Sequence, residues 1–140
     1  TDTLKWDSAD QFDGGPGFDT IDANLSSADT IDLRGLGFVN VERIRTGSGK
    51  DTVTLSPSDV LSDTADNQFV ADLGSSSPDT LNIDTAGGWT AAAPNSTLGP
   101  TGVAAGISVS GMTAHTFSNG VGDTVTVFTN AEVVNAQLLS

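Results

Sequence analysis

The chain has no cysteine and no tyrosine, and one methionine and one histidine among its 140 residues. Without cysteine there is no disulfide, so stability outside the cell has to come from packing or from bound metal. His115 has no second His or Cys to build a zinc set with, and no function is assigned to it. No apolar run reaches eighteen residues, which excludes a membrane-spanning helix read from sequence. Basic residues are scarce and confined: Lys5, Arg34, Arg43, Arg45 and Lys50 are all of them. From Asp51 onward there are nine acids and no Lys or Arg, so that part carries −9 of a net charge of −13. Such a surface repels nucleic acid and anionic membranes, and neither is expected as a partner.

The acids are uneven in kind. Sixteen of the eighteen are Asp, with Glu42 and Glu132 the exceptions. Asp suits turns and calcium sites, because its short carboxylate stays close to main-chain groups. Glycoside hydrolysis usually needs a carboxyl raised in pKa within an apolar cleft, typically a Glu. Neither Glu has that setting in sequence. A triad through His115, Thr116 and Ser118 lacks a nucleophile elbow. No catalytic residue is therefore assigned, and the chain is expected not to be an enzyme. It starts at Thr1 without a charged-then-apolar leader, and is expected to be a piece of a longer or processed protein.

Helical periodicity is almost absent. Short alternating runs take its place: "DTIDL" (29–33), "VERIR" (41–45), "DTVTL" (51–55), "NQFVADL" (67–73), "DTLNID" (79–84), "ISVSG" (107–111) and "DTVTVF" (123–128). Gly, Ser, Asp, Asn and Pro bound them at the spacing of an all-β domain. The exception is "SPSDVLSD", where Ser56 as cap and Pro57 at the first position predict a turn or two of helix. Asp-Thr followed by an aliphatic residue recurs at Asp2, Asp19, Asp29, Asp51, Asp79 and Asp123. A repeat of this kind points to stacked turns. The plainer reading is that Asp-Thr is good chemistry for opening a strand.

"GGPGFDTID" (14–22) has glycines at its first, second and fourth positions, Asp at the sixth and Ile at the eighth. It resembles the nonapeptide of the RTX, or calcium-binding β-roll, family at every position. The resemblance implies glycines in left-handed conformations turning carbonyls inward, an Asp closing a calcium site, and Ile21 filling the roll. "KWDSADQFD" (5–13) keeps Asp10, "NLSSADTID" (24–32) keeps Asp29, and "TGSGKDTVT" (46–54) keeps Gly47, Gly49 and Asp51. The implied metal residues are Asp10, Gly15, Gly17, Asp19, Asp29 and Asp51. Asp10 and Asp29 are expected on one edge and Asp19 on the other, and the glycine-rich copy has no clear partner eighteen residues away.

Residues 29 to 90 are similar to a supporting module of large bacterial RTX adhesins, through "IDLRG", "NVERI", "TGSGKDTVTLSPSDVLSDT", "NQFVADL", "PDTLNID" and "GGWT". That likeness implies a secreted, cell-surface role beside neighbouring domains, and no catalysis. The expected fold is a single all-β domain. Degenerate RTX-like turns over 5–54 stack as a β-roll or solenoid, and antiparallel strands in 55–140 close it; a β-sandwich is the alternative. The expected function is a calcium-stabilised structural or adhesion module. A calcium-dependent module binding glycan or peptide is the first alternative, with Trp6 or Trp89 exposed beside the ion, although Trp89 suits a core better. A surface-layer or filament subunit is the second.

Overall fold

The structure is a computed structural model that describes residues 3–5, 13–25, 28–35, 38, 40–63, 67–74, 78–91 and 112–138. Strands come in the order β1 (Thr3–Lys5), β2 (Thr20–Leu25), β3 (Thr30–Asp32), β4 (Arg43–Gly47) and β5 (Thr52–Leu55). After helix α1 (Pro57–Asp63) follow β6 (Gln68–Asp72), β7 (Thr80–Asp84), β8 (Thr90–Ala91), β9 (Thr113–Ser118), β10 (Thr124–Thr129) and β11 (Val133–Gln137). The fold is all-β, as the alternating runs predict. The Ser56 hydroxyl accepts from the Ser58 N–H at 3.3 Å, so the short helix forms where its cap and Pro57 place it.

The strands make two sheets. The first has seven strands in the order β1-β2-β4-β6-β10-β9-β8, and the second four in the order β11-β7-β5-β3. The chain crosses from the first sheet to the second between β2 and β3, β4 and β5, β6 and β7, and β10 and β11. Each such pair is a tier. Links 26–29, 48–51, 73–79 and 130–132 make these crossings, and the chain returns to the first sheet through 33–42, 56–67 and 85–89. Pairing within the tiers' strands is parallel throughout.

That parallel pairing corrects one expectation. The last strands do not close the molecule in antiparallel fashion: β10 lies parallel to β6, and β11 parallel to β7. The reason is the link 130–132, which carries the chain to the other sheet instead of folding it back beside β10. Among the described residues antiparallel pairing is confined to β9 with β10 and β8 with β9, at one end of the first sheet.

The core lies between the sheets. Ile21, Ile44, Phe69, Ala71, Val125 and Val127 from the first meet Ile31, Val53, Leu55, Leu81 and Ile83 from the second, all buried in one cluster. These are the alternate positions of each strand, which a half-buried strand turns to one face. Trp89 joins this core, and its indole N–H donates to the Ser58 hydroxyl at 2.8 Å.

Candidate functional site

The Asp-Thr repeats acquire their meaning from register. Thr30, Thr52, Thr80 and Val133 stand side by side across the second sheet. The residues just before them, Asp29, Asp51, Asp79 and Glu132, therefore form a column along one edge. Each main-chain N–H donates to the next side-chain carboxylate: Asp29 to Asp51 Oδ1 at 3.0 Å, Asp51 to Asp79 Oδ1 at 2.9 Å, and Asp79 to Glu132 Oε2 at 2.7 Å. In return, the carbonyls of Asp29, Asp51 and Asp79 accept from the N–H groups of Thr52, Thr80 and Val133. Side-chain carboxylates thus extend the ladder by one step beyond each strand, where the main chain turns away.

Only half of each carboxylate is used in this way. The Oδ2 atoms of Asp29, Asp51 and Asp79 are buried and accept no hydrogen bond. Asp51 and Asp79 are fully buried as residues, at 0% exposure. Burial pushes the Asp79 carboxyl up from its ordinary value, and the nearby charges of Glu132 and Asp51 add to this against the Asp51 N–H that donates to it. A buried carboxylate oxygen without a donor is costly, and a proton or a cation relieves it.

The glycine-rich turn is built differently. Gly15 and Gly17 have φ of 74° and 133°, the left-handed backbone that the resemblance implies. Gly47 and Gly49, ahead of Asp51, repeat it at 96° and 132°. The two turns share a sequence, Gly-x-Gly-x-Asp, and a backbone course. They lie at opposite ends of the strands, because Asp19 precedes a strand of the first sheet and Asp51 one of the second. Asp13 Oδ1 is occupied by the Gly15 N–H and the Asn40 amide. Asp19 is buried beneath the turn: a Cβ on Gly14 would fall 2.5 Å from that of Asp19. Its N–H donates to Glu42 Oε2 at 2.8 Å, the same device as in the column.

The sequence-derived metal residues therefore separate. Asp29 and Asp51 are joined by a hydrogen bond, Gly15, Gly17 and Asp19 belong to the opposite end, and Asp10 lies outside the described residues. Sequence reasoning missed Asp79 and Glu132 as members of the column and Glu42 as the partner of Asp19. The signal was present as an acid two residues before an aliphatic one: Glu42 before Ile44, and Glu132 before Val134. Reading for Asp-Thr hid it. Asp123 belongs to the β9–β10 turn, where its N–H and Oδ2 bond to the Asn119 side chain.

A second charged set lies at the far end of the second sheet. Arg34 bridges Asp32 at 2.7 Å and Asp84 at 3.0 Å, and its hydrogen bond holds the Asp32 carboxyl below its usual value. Burial raises that of nearby Asp59.

Among the described residues no three acidic or histidine side chains form a group that could hold a metal by themselves. Calcium also draws on main-chain carbonyls and carboxylate oxygens, and the buried Oδ2 atoms of Asp29, Asp51 and Asp79 are carboxylate oxygens without a hydrogen-bond donor. Comparison with family models, curated proteins and solved structures finds no match.

Proposed function

We propose that the chain is a non-enzymatic structural module, a β-roll-like stack stabilised by calcium, that acts in adhesion or as scaffold in a secreted RTX-type surface protein. The observation that carries this reading is the column of buried carboxylate oxygens on Asp29, Asp51 and Asp79 that accept no hydrogen bond. Calcium bound there would offset carboxylates that otherwise repel one another. Gly-x-Gly-x-Asp turns at both ends of the strands, with glycines of matching backbone sign, support the same family reading. Neighbouring domains of the parent protein are the partners it implies. The glycan-binding alternative asks for an exposed aromatic platform: Trp89 is buried with its indole N–H engaged, and Trp6 lies outside the described residues.

Thermal unfolding after exhaustive EGTA treatment, with calcium or magnesium restored, tests the proposal. A ligand at a hundred times its dissociation constant stabilises by about 2.7 kcal/mol if it binds only the folded chain. At about 3–4 °C per kcal/mol for a domain of this size, the midpoint rises by about ten degrees. The expected result is that rise with calcium, little with magnesium, and loss of most of it in Asp51→Asn. No rise with calcium overturns the proposal.

A further inference from the structure

The carboxylate column is a repeating lock, and at Glu132 it ends half-made. Each tier's acid residue offers an N–H and a carbonyl, and the next tier answers with a carboxylate and an N–H. Glu132 immediately precedes β11, the end strand of the second sheet among the described residues, so its own N–H and carbonyl have no following tier there. Along β11 the main-chain groups alternate. Val133 donates to Asp79 and Gln137 accepts from Thr85, so Val133, Asn135 and Gln137 turn towards β7. Val134 and Ala136 then point their N–H and carbonyl groups outward.

Among the described residues this edge carries none of the usual protection. Open edges are normally blunted by Lys, Pro, inward charges or bulges. Residues 133–138, "VVNAQL", contain no charge and no proline. Of the three large apolar side chains that stand exposed among the described residues, two are here: Val133 at 41% and Leu138 at 65%. The edge reads as a surface that is meant to be covered.

The first sheet limits what can cover it. Beyond β10, which shares its tier with β11, the first sheet continues with β9 and β8, while among the described residues the second sheet has no further strand. On β9, Phe117, His115 and Thr113 pair with Val125, Val127 and Thr129 and so share the face that Val125 and Val127 turn to the core. His115 and Thr113 are only half-buried. A second copy continuing the sheet with its core on the same side would place its first sheet where β9 and β8 already lie. A single extended segment meets no such obstacle.

We propose that β11 receives an extended peptide segment as a fifth strand of the second sheet. The segment runs parallel to β11, opens with an acid, and sets an aliphatic side chain two residues later towards Thr113 and His115. Its acid accepts from the Glu132 N–H, and the N–H that follows donates to the Glu132 carbonyl. This is strand addition to a sheet edge, in which main-chain hydrogen bonds give affinity and alternate side chains give specificity. The inference is independent of calcium.

The probe is the chain's own strand sequence as a capped peptide, residues 78–84, Pro-Asp-Thr-Leu-Asn-Ile-Asp, titrated into the isotope-labelled chain and followed by NMR and hydrogen exchange. Saturable shifts along 132–138, with the Val134 and Ala136 amides newly protected, are expected. Replacing the peptide's leading Asp by Ala is expected to weaken binding about tenfold or more, since a hydrogen bond to a charged group is lost. Ala136→Pro removes an outward N–H and no bond to β7, and is expected to abolish the protection. No saturable binding, shifts centred elsewhere, or equal binding by the Ala peptide would each overturn the proposal. So would amides already protected in the dilute chain alone, or protection that grows with chain concentration, which assigns the edge to a second copy.

Discussion

A carboxylate that caps the N–H of a neighbouring tier is held by one oxygen and exposed to the cost of burial at the other. Asp79 is the sharpest case, because Asp51 stands before it in the column and Glu132 after it. Its folded pKa is raised, so the folded chain binds this proton more tightly than the unfolded one. The stability it contributes is complete below the ordinary carboxylate value and is lost as pH rises through the raised one. Asp59 shifts in the same direction, while Asp32, held down by Arg34, shifts in the opposite one. In the absence of calcium, Asp79→Asn keeps the acceptor for the Asp51 N–H and removes the charge. Urea unfolding is expected to find this variant as stable as the parent or more so at pH 7, with a flatter decline as pH rises above the ordinary carboxylate range. Asp79→Ala, by contrast, leaves the Asp51 N–H without its acceptor and is expected to cost roughly 1–3 kcal/mol. Equal losses in the two variants would mean that the capping bond does not matter.

At the scale of elements, close stacking of the tiers is decided by glycine at a few positions. Gly74 follows β6 with φ of +84°, and a Cβ there would fall 1.9 Å from the Gly47 carbonyl oxygen of the tier before. Gly88 has nearly the same φ, +81°, with nothing within 4 Å. A left-handed alanine costs about 1–2 kcal/mol from backbone sterics alone. Gly88→Ala is expected to lose about that much, and Gly74→Ala clearly more, because the β4 and β6 tiers must move apart. Similar midpoints for both in urea unfolding would show that the Gly47–Gly74 contact is not tight. The strands were legible in the sequence, since alternation and Gly- or Asp-rich boundaries are local signals. β3, β5, β6 and β7 fall within the alternating runs, and β10 extends its run by one residue. Which strands are neighbours is not local. Nothing in "DTVTVF" reveals that it lies parallel to "QFVAD", far earlier in the chain. The column was visible only as a repeated dipeptide, and its last member, Glu132, was hidden because Val133 stands where Thr stands in the other tiers. Asp29 and Asp51 were legible as residues of interest, but their partnership with Asp79 required the register.

For the whole molecule, the balance of charge sets conditions that no single tier controls. A net charge of −13 on 140 residues, with no Lys or Arg after Lys50, makes the compact state repel itself. The described ion pairs counter this only in part: Arg45 with Asp22, and Arg34 with Asp32 and Asp84, all engage Arg residues of the first third of the chain. Asp84 apart, the acids of the later tiers depend on hydrogen bonds, on solvent screening and, in the proposed reading, on calcium. Screening and specific binding differ in their dependence on the ion. At 0.01 M ionic strength charges interact over about 30 Å, and at 0.1 M over about 10 Å. Raising sodium chloride over that range in the calcium-free chain is therefore expected to lift the unfolding midpoint by a few degrees and then level off. Calcium added at matched ionic strength is expected to lift it further, and magnesium to do no more than sodium at that strength. If sodium alone reproduced the full calcium effect, the carboxylate column would be a screened surface feature and not a binding site. If sodium had no effect while calcium did, repulsion would reside in the buried column alone, and Asp51→Asn with Asp79→Asn together would remove the need for the ion.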